Sequence, residues 1–164
     1  EINIIKYNIN MLDIEDFKKK LDKKSRLMGI DPGRKRCGIA ISDENKIIAT
    51  PYTTIIKNNY SKFIDDIKKI IKENNIKGII VGNPINLDGT PSRSSQSAKD
   101  LAINLSKDIT ENITIWDERL SSQGAFNLSR NLNVNTSKKV EKLDENSAQF
   151  ILQGALDYLT KENT

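Results

Sequence analysis

Apolar positions along this chain fall into two kinds of run. Leu27-Met28-Gly29-Ile30, Cys37-Gly38-Ile39-Ala40-Ile41, Ile79-Ile80-Val81 and Ile113-Thr114-Ile115-Trp116 are short and almost unbroken. Strands covered on both faces read this way. A further extended stretch, 47–56, is interrupted by Pro51, which suits an edge strand or a bulge. Other runs carry helical spacing. Phe63, Ile64, Ile67, Ile70 and Ile71 predict a helix over 61–74, closed by Asn74-Asn75. Ala98, Leu101, Ala102 and Leu105 form the face of a second, with Thr90 as its cap and Pro91 at its first position. Ala148, Ile151, Leu152, Ala155 and Leu159 form the face of a last helix, expected to begin near Asp144. Ser121 starts a short helix, and 131–143 reads as a polar, mobile loop.

The predicted order is βββαβαβα. Three hairpin-linked antiparallel strands and then two parallel ones give an α/β domain, a five-stranded mixed sheet with helices on both faces. That domain spans 26–164. Residues 1–25 read as an N-terminal extension, either a short helix on Ile14, Phe17 and Leu21 capped by Asp13, or partly disordered. Met11 is a candidate natural start, with 1–10 an upstream remnant.

Composition narrows the chemistry. With 26 Lys+Arg against 22 Asp+Glu, the net charge is +4, which permits a polyanionic partner without demanding one. No apolar run reaches the ~20 residues of a membrane span, so no membrane partner is expected. The single cysteine, Cys37, excludes an internal disulfide and points to a reducing, cytoplasmic setting. The chain has no His, which removes the usual transition-metal ligand and the usual neutral-pH general base. A metal held here is therefore a hard one on carboxylates, Mg²⁺ or Mn²⁺.

Acids stand where the parallel strands run out. Asp31 ends the first strand before Pro32-Gly33, Gly82-Asn83-Pro84 ends the fourth, and Asp117-Glu118 ends the fifth. Sites in open sheets lie beyond such strand ends. Asp144 precedes Ala148 by four residues and Ile151 by seven, so it shares the packing face of the last helix. Carboxylates gathered from two strands and a helix repel one another unless cations lie between them. One or two Mg²⁺ or Mn²⁺ ions would relieve this, and two of them about 3.5–4 Å apart clamp both oxygens of a phosphodiester. Each acid also has a plainer role: Asp31 as a turn residue, Asp117 or Glu118 as a partner of Arg119, Asp144 as a helix N-cap. Strand parity does not choose between Asp117 and Glu118, since both faces are expected to be covered. Arg34, Lys35, Arg36, Asn83, Arg93 and Arg119 lie near the same edge and are candidate nucleic-acid contacts. Arg130 falls near that edge too, and Lys138, Lys139 and Lys142 are weaker candidates. Cys37 and Trp116 read as core.

The motifs together resemble one family. Gly29-Ile30-Asp31-Pro32-Gly33-Arg34-Lys35-Arg36-Cys37-Gly38-Ile39-Ala40, then Val81-Gly82-Asn83-Pro84 with Asn86-Leu87-Asp88-Gly89-Thr90, then Asp117-Glu118-Arg119-Leu120-Ser121-Ser122, then Asp144 with Ala148, run in the order of the YqgF family. That family is also called RuvX, or pre-16S rRNA nucleases, and is related to the RuvC resolvases within the RNase H-like fold. The resemblance implies a metal-dependent endonuclease on structured nucleic acid, with Asp31, Glu118 and Asp144 in the catalytic, metal-holding positions. The substrate it implies is the 5′ end of pre-16S rRNA; a Holliday-junction-type DNA resolvase is the alternative, and a homodimer is allowed. Asn83 departs from the apolar residue usual before the proline, Asp31 is followed by Pro, and the extension is longer than typical. Two other readings compete. A non-catalytic nucleic-acid-binding domain would keep the fold, and an actin-like ATP-binding domain would need a second such domain.

Overall fold

The computed structural model describes residues 10–84, 93–120 and 137–161. The strands are β1 (Arg26–Pro32), β2 (Arg36–Ser42), β3 (Ala49–Ile56), β4 (Ile76–Asn83) and β5 (Asn112–Asp117). The helices are α1 (Ile14–Lys19), α2 (Tyr60–Asn74), α3 (Arg93–Asp108) and α4 (Ser137–Thr160), and a 3₁₀ turn covers Glu118–Leu120. The strands form one sheet in the order β3-β2-β1-β4-β5. β2 is antiparallel to both neighbours, while β4 is parallel to β1 and to β5. This is the five-stranded mixed sheet, with helices on both faces, expected from the sequence.

Local chemistry explains the boundaries. The Asn59 side chain accepts from the Lys62 amide (3.1 Å) and caps α2, and Asn75 ends it in the left-handed conformation at φ 53°. Asp13 caps α1 through the Asp16 amide at 2.8 Å. Pro51 does not break β3. The ladder steps from Ile39↔Thr53 to Ala40↔Pro51, so Tyr52 is the extra residue of a bulge on an edge strand. In the loop between β2 and β3, Asp43 accepts from the Asn45, Ile47 and Ile48 amides.

The sheet has a core on each face. On one side Met28, Ile30, Ile39, Ile79, Val81 and Ile113 meet α2 and α3 through Phe63, Ile67, Leu101 and Leu105. On the other, Leu27, Ala40, Ile80 and Trp116 meet α4 through Ala148, Ile151, Leu152 and Ala155, with Phe17 of α1 beside them. Cys37 and Trp116 are core, as expected.

The last helix differs from its expected start. α4 begins at Ser137, so Asp144 lies two turns inside it and is not its N-cap. Ser137-Lys-Lys-Val-Glu-Lys-Leu is rich in good helix formers but has no apolar stripe to announce them. Residues 131–136 of the expected loop, the Thr90-Pro91 start and the Ser121 helix lie outside the described residues.

Candidate active site

Alternation along the strands decides which side chains share a face. In β1, Met28 and Ile30 enter the core under α2 and α3. Gly29 faces α4, where a Cβ on it would come within 2.7 Å of Leu152 Cβ. Asp31 therefore leaves the tip of β1 on the α4 side, half-buried. In β4, a Cβ on Gly82 would lie 2.5 Å from Ile151 Cδ1 and 3.1 Å from Glu118 Oε1. Gly82 thus opens a cleft on that same side, and the Glu118 carboxylate fills it. The Oε1 atom is shielded from solvent.

Asp117 goes the other way. Ile113 and Ile115 of β5 belong to the opposite core, and Asp117 continues their parity. Its register partner is Asn83, likewise on that side. Asp117 is committed to Arg119. It accepts from the Arg119 backbone amide at 3.0 Å and from Nε and Nη2 at 3.0 and 2.6 Å. The hydrogen bond from the Arg119 guanidinium is the main cause holding the Asp117 carboxyl below its ordinary range. The geometry separates the two adjacent acids: Glu118 joins Asp31 on the α4 side, and Asp117 pairs with arginine. Alternation along β5 accounts for this, since Glu118 shares the parity of Trp116, whose side chain packs with α4.

Asp144 lies one turn before Ala148 in α4, and its side chain is outside the described residues. Among the described residues no three His, Cys, Asp or Glu side chains gather into a metal-sized cluster. The two described carboxylates nonetheless fit a hard cation. Both supply only oxygen, both face α4, and one oxygen is held in a cleft that a Cβ would close.

The cationic candidates divide similarly. Arg34 and Lys35 are exposed on the β1–β2 turn, with Arg36 half-buried at the start of β2. Lys57 braces that turn: its Nζ donates to the Gly33 carbonyl (3.1 Å) and its amide to that of Lys35 (2.7 Å). The sequence reading passed over Lys57, although a cation just past a strand that ends beside the turn was a signal. Asn83 is only 6% exposed, and its Oδ1 has no hydrogen-bond partner among the described residues. Arg93 begins α3; its side chain lies outside the described residues.

A family model described as "RuvX: Holliday junction resolvase" matches residues 25–158. The chain belongs to the RuvX family. Membership places it among the hydrolases that act on phosphodiester bonds. A RuvX relative named "Putative pre-16S rRNA nuclease" in Pelagibacter ubique (strain HTCC1062) is 56% identical over 149 residues, 91% of this chain and 99% of the relative. One of the same name in Rhodobacter capsulatus is 38% identical, covering 89% of this chain and 92% of the relative. Among solved structures, Thermus thermophilus RuvC in complex with Holliday junction substrate is similar at a TM-score of 0.49 and 8% identity, over 82% of this chain and 94% of that one.

Proposed function

We propose that this RuvX chain is a divalent-metal-dependent endonuclease that matures the 5′ end of pre-16S rRNA. The observation that carries the chemistry is the shared face of Asp31 and Glu118 beside α4. Asp31, Glu118 and Asp144 would hold Mg²⁺ or Mn²⁺, one ion or two. When bound, such an ion supplies Lewis acidity and lowers the pKa of water at neutral pH, so a chain without histidine needs no other base.

The chain's own residues do the rest. Arg34 and Lys35 stand exposed where a phosphate backbone crosses the strand tips, and Lys57 fixes their turn. Arg119, oriented by Asp117, presents a positioned guanidinium at the fifth strand's end. Residues 26–164 form the nuclease domain and 1–25 its extension. The cytoplasm is the proposed site of action. No helix among the described residues is long and apolar enough to cross a membrane.

The family model's description favours a second reading, resolution of four-way DNA junctions. Cleavage assays separate the two. Purified chain with Mg²⁺ or Mn²⁺ is given either an RNA spanning the 5′ boundary of 16S rRNA or a four-way DNA junction. The proposal expects cuts in the RNA and an intact junction; the reverse result replaces it with the resolvase. Salt-sensitive binding of the RNA without cuts in either would identify a non-catalytic binding domain.

A further inference from the structure

Tyr52 and Ile56, two of the six large apolar side chains found exposed among the described residues, line one side of the molecule. That side is the outer edge of β3, which pairs with β2 alone. Between this edge and α2 runs a groove of about 640 Å³. Its floor includes Ile55 and Ile70, and its helix wall carries Lys62, Asp66, Lys69 and Glu73. The Asn74 amide donates to the Tyr52 hydroxyl (3.2 Å) and positions the ring at the groove's rim. An exposed apolar strip on an edge strand is a surface that proteins normally cover or blunt.

The charge order on the helix wall says what covers it. Lys62, Asp66, Lys69 and Glu73 follow one another at i, i+4, i+7 and i+11, so they form one stripe along α2. Its signs read plus, minus, plus, minus. Laid antiparallel on itself, this stripe sets Lys62 against Glu73 of a second copy and Asp66 against Lys69, and then the same two contacts again by symmetry. Laid parallel, it sets like charges together. An interface repeated on both partners is what a two-fold dimer requires. Within one chain the Lys69–Glu73 contact is loose, at 4.0 Å with side chains 72% and 53% exposed, so these groups are available to a partner.

We propose that this groove is an isologous dimer interface, filled by the β3 edge and α2 of a second copy of the chain. The apolar strip supplies the buried area, and the charge stripe sets orientation and register. β1, β3, β4 and β5 all run in one direction. Antiparallel pairing at β3 therefore points the two strand-tip edges away from each other, and each site works on its own strand.

Sedimentation velocity over a concentration series tests this with a charge swap. The wild-type chain is expected to form a dimer that weakens as salt is raised. Lys69→Glu places an acid opposite Asp66 and should weaken the dimer by about tenfold or more. Asp66→Lys with Lys69→Glu re-creates opposite pairs across the two-fold and should restore it. A wild-type chain that stays monomeric up to millimolar concentration overturns the proposal. So does a dimer indifferent to Lys69→Glu, or one that the double swap fails to rescue, since its interface would lie elsewhere.

Discussion

Glu118 Oε1 lies 3.1 Å from the point that a Cβ on Gly82 would occupy. The missing side chain on β4 is what lets the last acid of the β5 tip lie on the same face as Asp31. Gly82→Ala should push both Glu118 and the Ile151 side chain aside. Overpacking of this kind costs about 1–3 kcal/mol. Displacement of a positioned carboxylate by about 1 Å costs ~10²-fold in rate. Chemical denaturation and single-turnover cleavage should show a folded protein with that loss.

Asp117 and Glu118 are adjacent in sequence but should behave oppositely. Glu118→Gln removes an acid on the α4 face and is expected to lower the cleavage rate about 10²-fold or more, a magnitude typical of losing one preorganised electrostatic group. Asp117→Asn leaves that face untouched and loosens Arg119, so its effect should fall mainly on KM. Steady-state kinetics on one RNA substrate distinguishes the two. An equal collapse of kcat in both variants would contradict the separation of the acids.

The acid limb of stability follows from two carboxyls held low. Asp117 is lowered chiefly by its hydrogen bond from Arg119, and Asp43 chiefly by the Ile48 backbone amide. A carboxyl whose folded value is depressed stabilises the fold at pH above its unfolded value, near 4. That contribution drains away as pH falls through the lower folded value. Arg119→Gln removes the cause at Asp117, so the loss of stability below about pH 4 should become shallower. Urea unfolding of both proteins between neutral and acid pH measures the slopes.

Helix α2 packs one face of the sheet, and its start rests on the Asn59 cap. Asn59→Ala strips the acceptor from the Lys62 amide and should cost about 1 kcal/mol. Thermal melts should show the loss without a change in cleavage rate, because Asn59 is not among the residues assigned to the site.

What the sequence made legible follows from where apolar side chains sit. The buried strands announced themselves through unbroken runs, and α2 and α3 through their stripes, because burial on a sheet constrains those positions. The first two turns of α4 lack such a stripe, so the pattern predicts a start near Asp144, one turn before Ala148, and not at Ser137. Pro51 signals an edge strand or a bulge, and β3 is both, because a proline without an amide proton fits only where the ladder is open or shifted. The choice between Asp117 and Glu118 was closed to parity for a physical reason: both faces of β5 are covered, and the strand ends between the two residues. It became readable through Gly82, whose empty Cβ position is a fact of three dimensions.

The central claim is that the acids of the strand-tip edge perform metal-dependent hydrolysis. Its most direct test is cleavage of the 5′-boundary RNA by wild type and Asp31→Asn in Mg²⁺ or Mn²⁺, with RNA affinity and melting temperature measured on the same samples. The account predicts cutting by wild type that stops when the metal is chelated. In Asp31→Asn it predicts cutting reduced to background, with the fold and the RNA affinity retained. Undiminished, metal-dependent cutting by Asp31→Asn would contradict it.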